Sequence, residues 1–291
     1  METQETNSKQ KSVKLDLLKS MLAPLIEKGL IIAFSGGVDS GFLLWAAIRT
    51  LKTSHRKGRV LALLSVSPRV ALWEIESAKD FSKTIGAELL IVNSDEINAK
   101  NDSKHCCFCK TELCNLARKE AIKRSYQAIA YGYNASDRRD SRPGHLAVQE
   151  SNIYSPLEQA GLEKADIREF VRELGFNLAD KPTSPGLASR IVTGVRISEE
   201  KLQHIHEMES FLNGQGFSLY RVRVHEESYP SEPSITKRYF RIEVAPEEMS
   251  AILQIRDLLV KKARNLGYRW VNLDLAGYKD IINESSGNST P

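Results

Sequence analysis

The feature that most constrains this chain is an apolar run that ends in a glycine pair and opens a helix. Leu30-Ile31-Ile32-Ala33-Phe34 is β-rich and strand-length, runs straight into Ser35-Gly36-Gly37-Val38-Asp39-Ser40, and is followed by Phe42–Arg49, which suits a helix. A buried strand feeding a glycine loop and then a helix is where α/β proteins place phosphates. Glycines let the backbone approach closely, successive N–H groups form a concavity for oxyanions, and the helix N-terminus favours negative charge. Ser35, Gly36, Gly37, Asp39 and Ser40 are therefore the candidate nucleotide-binding residues. The serines supply hydroxyl donors, and Asp39 is the carboxylate that could hold a magnesium ion bridging phosphates. The loop has neither the Gly-Lys-Ser/Thr ending of a Walker loop nor the three spaced glycines of a Rossmann loop.

Around this loop the pattern alternates. Val13, Leu17, Leu18, Met21, Leu25 and Ile26 recur at helical spacing; Val60–Val66 reads as a second strand, Val70–Ile85 as a helix closed by Gly86, and Leu89–Val92 as a third strand. Thr111–Lys123 then reads as a helix, Ala128–Tyr131 as a fourth strand, and Lys164–Leu174 as a helix with Gly175 as its cap. Such alternation predicts an α/β fold with a parallel sheet. After an irregular segment with two prolines and two glycines (180–194), the predicted order is helix (Ser198–Leu212), strand (Leu219–Val224), strand (Tyr239–Val244), a helix with Pro246 near its start and Gly267 beyond its end, and strand (Trp270–Leu275). That order suits a second, smaller α/β domain. The expected division is a polar tail at 1–11, a nucleotide domain at 12–185, a substrate domain at 190–280 and a second tail at 281–291.

Composition narrows the function classes. In 291 residues, 41 Lys plus Arg against 37 Asp plus Glu give a net charge of +4, which tolerates anionic ligands without the dense basic patch of a dedicated nucleic-acid binder. No nucleic-acid partner is expected. No apolar run approaches the ~18 residues of a membrane span, and Met1–Lys14 has no apolar core of a secretory signal. The expected address is the cytoplasm, and a homo-oligomer is expected there.

All four cysteines (Cys106, Cys107, Cys109, Cys114) lie in one short stretch, whereas a disulfide framework would scatter them. Cys106-x-x-Cys109 has the spacing used for iron–sulfur clusters and zinc, so both residues are candidate metal ligands and candidate carriers of catalytic sulfur. Two thiolates do not close a metal site. Cys107, His105, a non-protein ligand or a second subunit would have to complete it, and buried thiols without a metal would show the same spacing. In Leu219–His225, period-two alternation puts Arg221 and Arg223 on one face and Tyr220, Val222 and Val224 on the other. Paired guanidiniums suit a phosphate, and Arg190 is placed to supply a third; a solvated strand face would present the same alternation.

The Ser35–Ser40 hexapeptide resembles the pyrophosphatase loop of the PP-loop ATPases, the adenine nucleotide alpha hydrolase-like proteins that cleave ATP to AMP and pyrophosphate. Within that superfamily, further segments resemble the sulfur transferases that mature the nickel-pincer cofactor of lactate racemase. These are His105–Leu113, Gly132–Asp137 with Arg142-Pro143-Gly144, Ser155-Pro156-Leu157, Leu187-Ala188-Ser189-Arg190, Arg221-Val222-Arg223 and Leu273-Asp274-Leu275. The resemblance covers nearly Leu30 to Tyr278.

It implies an enzyme that uses ATP and magnesium to adenylate a carboxylate of a pyridinium biscarboxylate mononucleotide, and then converts it to a thiocarboxylate. It further implies that Arg190, Arg221 and Arg223 hold the phosphate of this small anionic substrate, with Glu209 and Asp274 at acidic positions nearby. In that family a cysteine beside Leu-x-Ser-Arg often donates its own sulfur. Here Pro185 and Gly186 stand at that place, which leaves Cys106 and Cys109, an iron–sulfur cluster on them, or a sulfur donor protein as the source. The rival readings are a transfer-RNA thiolase of the same superfamily and a degenerate ATP-binding protein that is not an enzyme.

Overall fold

Every position of β1 (Leu30–Ala33) is buried, as expected of an unbroken apolar run covered on both faces. The computed structural model describes residues 2–54, 57–67, 70, 72–94, 105–139, 153–178, 187–229 and 232–278. These fall into two units, one built on residues up to 178 and one on residues from 187.

In the first unit the order is α1 (Glu2–Glu27), β1, α2 (Val38–Thr53), β2 (Val60–Val66), α3 (Leu72–Ile85), β3 (Glu88–Asn93), α4 (His105–Arg124) and β4 (Ala128–Tyr131), followed by a 3-10 turn (Ala135–Arg139), α5 (Pro156–Gln159) and α6 (Lys164–Glu173). The sheet order is β3-β2-β1-β4, and each neighbouring pair is parallel; Ile31, for example, lies between Leu61 and Ile129. Because β2 lies on one side of β1 and β4 on the other, the chain reverses its winding at β1. In an open α/β sheet the crevice at such a switch point, beyond the strand C-termini, is the ligand site. Here it receives the Ser35–Ser40 loop from β1 and the Gly132–Asp137 segment from β4.

Three boundaries differ from those the sequence predicts. α1 begins at Glu2, taking into a helix residues whose polarity suggests a tail. Its Glu, Gln and Lys residues are good helix formers, and Lys11 is buried in ion pairs with Glu169 and Glu173 of α6. α4 begins at His105 rather than Thr111, so Cys106 and Cys109 belong to its first turns. The single helix expected after Pro246 is a 3-10 turn (Pro246–Glu248) followed by α8 (Met249–Gln254) and α9 (Arg256–Asn265), which part at Ile255.

The second unit runs α7 (Glu199–Gly214), β5 (Tyr220–Tyr229), β6 (Glu232–Val244), α8, α9 and β7 (Trp270–Leu273), the predicted order with β5 and β6 longer and β7 shorter than expected. β5 and β6 are antiparallel, whereas β7 joins β6 in parallel. One face of this sheet is apolar. Val222, Val224, Phe240, Ile242 and Val244 are buried in a core with Ile205, Met208 and Leu212 of α7 and Tyr268. Period-two alternation gives the other face to Arg221, Arg223, His225, Lys237, Tyr239, Arg241 and Glu243. A turn (Leu187–Arg190) precedes a bridge from Ile191 to Val224, which lays this segment along the free edge of β5.

Candidate active site

In the first unit the loop after β1 is cinched by its own serines. Ser35 Oγ and Ser40 Oγ lie 3.1 Å apart, Ser40 Oγ donates to the Gly37 carbonyl at 3.2 Å, and the Ser35 N–H donates to Ser40 Oγ at 3.2 Å. Gly36 has φ +73°, and a Cβ there would sit 3.1 Å from Ala78 Cβ. A side chain is strained there by the left-handed conformation and crowded by Ala78. Across the crevice, a Cβ on Gly132 would lie 2.8 Å from the Ser40 nitrogen, so the exit of β4 must be glycine to pass the first turn of α2. Beyond it Asn134, fully buried, accepts from the Ser136 N–H at 2.9 Å, while Asp137 accepts from the Asn134 N–H at 3.0 Å. These bonds fix the polar segment on which Ser136 Oγ receives the Lys164 N–H at 3.0 Å.

That last bond places Lys164 at the start of α6, and its Nζ reaches Asp39 Oδ2 at 2.5 Å. Asp39 Oδ1 is buried and accepts no hydrogen bond from the described residues. Burial raises the Asp39 pKa above the usual carboxylate range, with Lys164 pulling in the opposite direction. A buried carboxylate oxygen without a donor, on a glycine loop at a helix N-terminus, fits a magnesium ion bound with phosphates. Sequence reasoning missed Lys164 because a lysine opening an amphipathic helix carries no local mark of the partner 125 positions away.

In the second unit Glu243 gathers three guanidiniums. It accepts from Arg221 Nη1 at 3.2 Å, Arg223 Nε at 2.6 Å and Arg241 Nη2 at 3.0 Å. Arg221 is 1% exposed, and the Tyr278 ring lies 4.4 Å from its guanidinium carbon. Arg190 pairs with Glu209 at 3.1 Å; Glu209 also accepts the Val222 N–H. Four guanidiniums against Glu209, Glu243 and Asp274 leave the cluster with one positive charge. Arg221 and Arg223 do share a face, and that face is a charged network rather than a solvated surface. The outward-reaching members are Arg223 and Arg241, whose side chains are 15% and 36% exposed. Arg241 and Glu243 were missed, although the alternation Lys237, Tyr239, Arg241, Glu243 is legible in the sequence. His225, beside this row, is held below the ordinary imidazole pKa by burial and by Arg241 and Arg223.

Cys106 and Cys109 lie on the backbone of α4, but their side chains fall outside the described residues, as do Asp140, Arg142, Pro143, Gly144, Pro185 and Gly186. Cys114 is a buried thiol packed with Ile153. Among the described residues no group of three or more His, Cys, Asp or Glu could hold a metal, and no helix is long and apolar enough to cross a membrane.

The parallel sheet with its serine-glycine loop at the switch point, and the smaller sheet carrying arginines, define the class: an α/β protein with a PP-loop-like domain and a smaller second domain. No family model matches the chain. It is 33% identical over 255 residues to an uncharacterized protein of Synechocystis, covering 86% of this chain and 89% of that one. To an uncharacterized protein of Methanocaldococcus jannaschii it is 30% identical over 267 residues, covering 91% and 97%. To the pyridinium-3,5-bisthiocarboxylic acid mononucleotide synthase of Lactiplantibacillus plantarum it is 27% identical over 252 residues, covering 85% and 86%. The chain belongs to one family with the Synechocystis and Methanocaldococcus jannaschii proteins, and its similarity to the named synthase extends over both units.

Proposed function

We propose that the protein is an ATP-dependent sulfur transferase that converts a carboxylate of a pyridinium biscarboxylate mononucleotide to a thiocarboxylate. The observation that carries this reading is the match to the named synthase over 85% of the chain, a length that neither unit alone could supply.

In the first step a substrate carboxylate oxygen attacks the α-phosphorus of ATP. The bond to the β-phosphate bridging oxygen breaks, and pyrophosphate leaves with its electron pair. N–H groups of Gly36 and Gly37, the Ser35 and Ser40 hydroxyls and the Lys164 ammonium are the donors for that leaving group. Magnesium bound at Asp39 would supply charge neutralisation on the phosphates. Arg223 and Arg241, backed by Arg221 and Arg190, bind the substrate phosphate. In the second step a sulfide-level sulfur attacks the acyl carbon, the carbon–sulfur bond forms, and AMP departs with the electrons of the carbon–oxygen bond. Adenylation is needed because a free carboxylate has no leaving group at neutral pH. Cys106 and Cys109 are the proposed carriers of the sulfur, either as ligands of a cluster that holds an extra sulfide, or as a persulfide whose outer sulfur attacks the acyl carbon. In the persulfide route the second thiol then cleaves the sulfur–sulfur bond, releases the thiocarboxylate and leaves a Cys106–Cys109 disulfide for an external dithiol to reduce.

The test incubates the full chain with ATP, magnesium and the biscarboxylate mononucleotide, and follows AMP, pyrophosphate and the acceptor mass. AMP and pyrophosphate released in equal amounts, and only with acceptor present, support the reading. Release of ADP, or of AMP that depends on transfer RNA instead, sinks it.

A further inference from the structure

On the open face of the second unit's sheet, the row next to the arginines is aromatic. His225, Tyr239 and Trp270 are cross-strand neighbours on β5, β6 and β7. His225 stacks on Tyr239 with ring centroids 4.7 Å apart and planes 16° apart, and the Tyr239 hydroxyl donates to Glu227 at 2.7 Å. Trp270 lies on the other flank and is 38% exposed. A cation already lies over this pair: Lys237 Nζ is 5.0 Å from the Trp270 centroid and 5.6 Å from that of Tyr239, and the Arg269 guanidinium is 5.0 Å from the Trp270 centroid. Both faces are thus presented at distances at which an aromatic ring attracts positive charge.

The neighbouring row is Arg223, Arg241 and Asn272. Two residues along a strand amount to about 7 Å. That spacing is comparable with the distance from phosphate to ring across one ribose. A ligand with an anionic end and a cationic planar end, separated by a sugar, complements the two rows in both charge and length.

We infer that the Tyr239–Trp270 pair is the subsite for a positively charged nucleotide ring, with the nucleotide's phosphate on Arg223 and Arg241; this rests on the phosphate reading of the arginines given above. The Lys237 ammonium holds the place of the ring in the free protein. Once displaced, it stays within side-chain reach of carboxylates carried by that ring. A neutral ring of the same shape lacks the charge that the two aromatic faces select.

Nicotinamide mononucleotide and its reduced form are suitable probes, because they share phosphate and sugar and differ in ring charge. Calorimetry on the full chain should show the oxidised form bound about tenfold more tightly, the worth of roughly 1.4 kcal/mol of cation–π attraction. Trp270→Leu should bring the two forms level while leaving ribose 5-phosphate binding unchanged. Tyr239→Phe, which keeps the ring, should retain the preference. Lys237→Ala should raise affinity for the oxidised form by removing its competitor. Equal affinity for the two forms in the wild type, or a preference that survives Trp270→Leu, overturns the inference. Trp270-dependent binding of single-stranded RNA without any preference for the charged ring also overturns it, assigning the face to base stacking. If Arg223→Ala abolishes ribose 5-phosphate binding while the ring preference is absent, only the aromatic subsite fails. If ribose 5-phosphate does not bind at all, the phosphate reading fails with it.

Discussion

Lys164 and Asp39 meet at 2.5 Å across 125 positions of sequence, tying the start of α6 to the loop after β1. The pair does not fully compensate for the burial of Asp39, whose pKa in the folded chain lies above its ordinary value of 3.8. The folded state therefore binds that proton more tightly than the unfolded state. The associated stability is fully present below the unfolded pKa and is lost as pH rises through the folded one. Asp39→Asn should accordingly raise Tm at pH 7, with the gain shrinking as pH falls toward the ordinary carboxylate range. The same substitution should abolish pyrophosphate release. A lower Tm at pH 7 with a flat pH dependence would show that the ionised carboxylate stabilises the loop.

Lys164→Met tests the other partner. A cation aimed at a developing oxyanion typically accounts for about 10²- to 10³-fold in rate, so pyrophosphate release should fall by about that factor. Binding of ribose 5-phosphate, which the proposed function assigns to the second unit's arginines, should not change. A loss of both would mean that Lys164 acts on folding.

Much of this architecture was readable before the structure. β2 and β4 fall where the apolar runs end, and the Ser35–Ser40 loop is legible because glycine spacing after a buried strand is a local signal. The shared face of Arg221 and Arg223 follows from strand period alone. What sequence could not show are pairings between distant segments: Lys164 with Asp39, Arg190 with Glu209, and the convergence of three arginines on Glu243. Helix starts also escaped it. The first turns of α1 are polar and those of α4 are a His-Cys-Cys-Phe-Cys run without helical spacing of apolar residues, and neither start carries a strong capping signal.

Two members of the arginine cluster should separate by readout. Glu209 and Arg190 are paired with side chains 3% and 5% exposed, and removing one side of a buried pair costs about 3 to 5 kcal/mol. Glu209→Ala should therefore lower the denaturant midpoint strongly. Arg223, partly exposed, should behave differently. Arg223→Ala loses charge-assisted bonds worth about 1.5 to 3 kcal/mol to a bound phosphate, so acceptor binding should weaken more than tenfold with ATP affinity unchanged. Equal weakening of both ligands would assign Arg223 to the scaffold.

Cys106→Ser and Cys109→Ser should each stop thiocarboxylate formation while sparing adenylation, since the nucleotide loop needs no thiol. Iron and sulfide analysis of protein purified without oxygen distinguishes a cluster from a thiol relay. Full sulfur transfer by a variant lacking all four cysteines would place the sulfur source outside this chain.

His225 provides a pH readout of phosphate occupancy. Its imidazolium is disfavoured by burial first and then by Arg241 and Arg223, with Glu227 and Glu243 opposing and Tyr239 stacked on the ring. In the free protein its titration midpoint should lie below the ordinary value of 6.5. The stability tied to this neutral ring is present above the unfolded pKa and is lost as pH falls through the folded one. A phosphate on Arg223 and Arg241 offsets the positive field at the imidazole, so adding ribose 5-phosphate should move the midpoint upward in a proton NMR titration. Linkage then requires binding to strengthen as pH falls through that midpoint. Because the phosphate takes up a proton of its own near pH 6, the comparison is with His225→Gln, which keeps the ligand's titration and removes the imidazole's. The wild type should gain more affinity on acidification than the variant. A midpoint that stays put when ribose 5-phosphate saturates the protein would place the phosphate elsewhere than on the Arg223–Arg241 row.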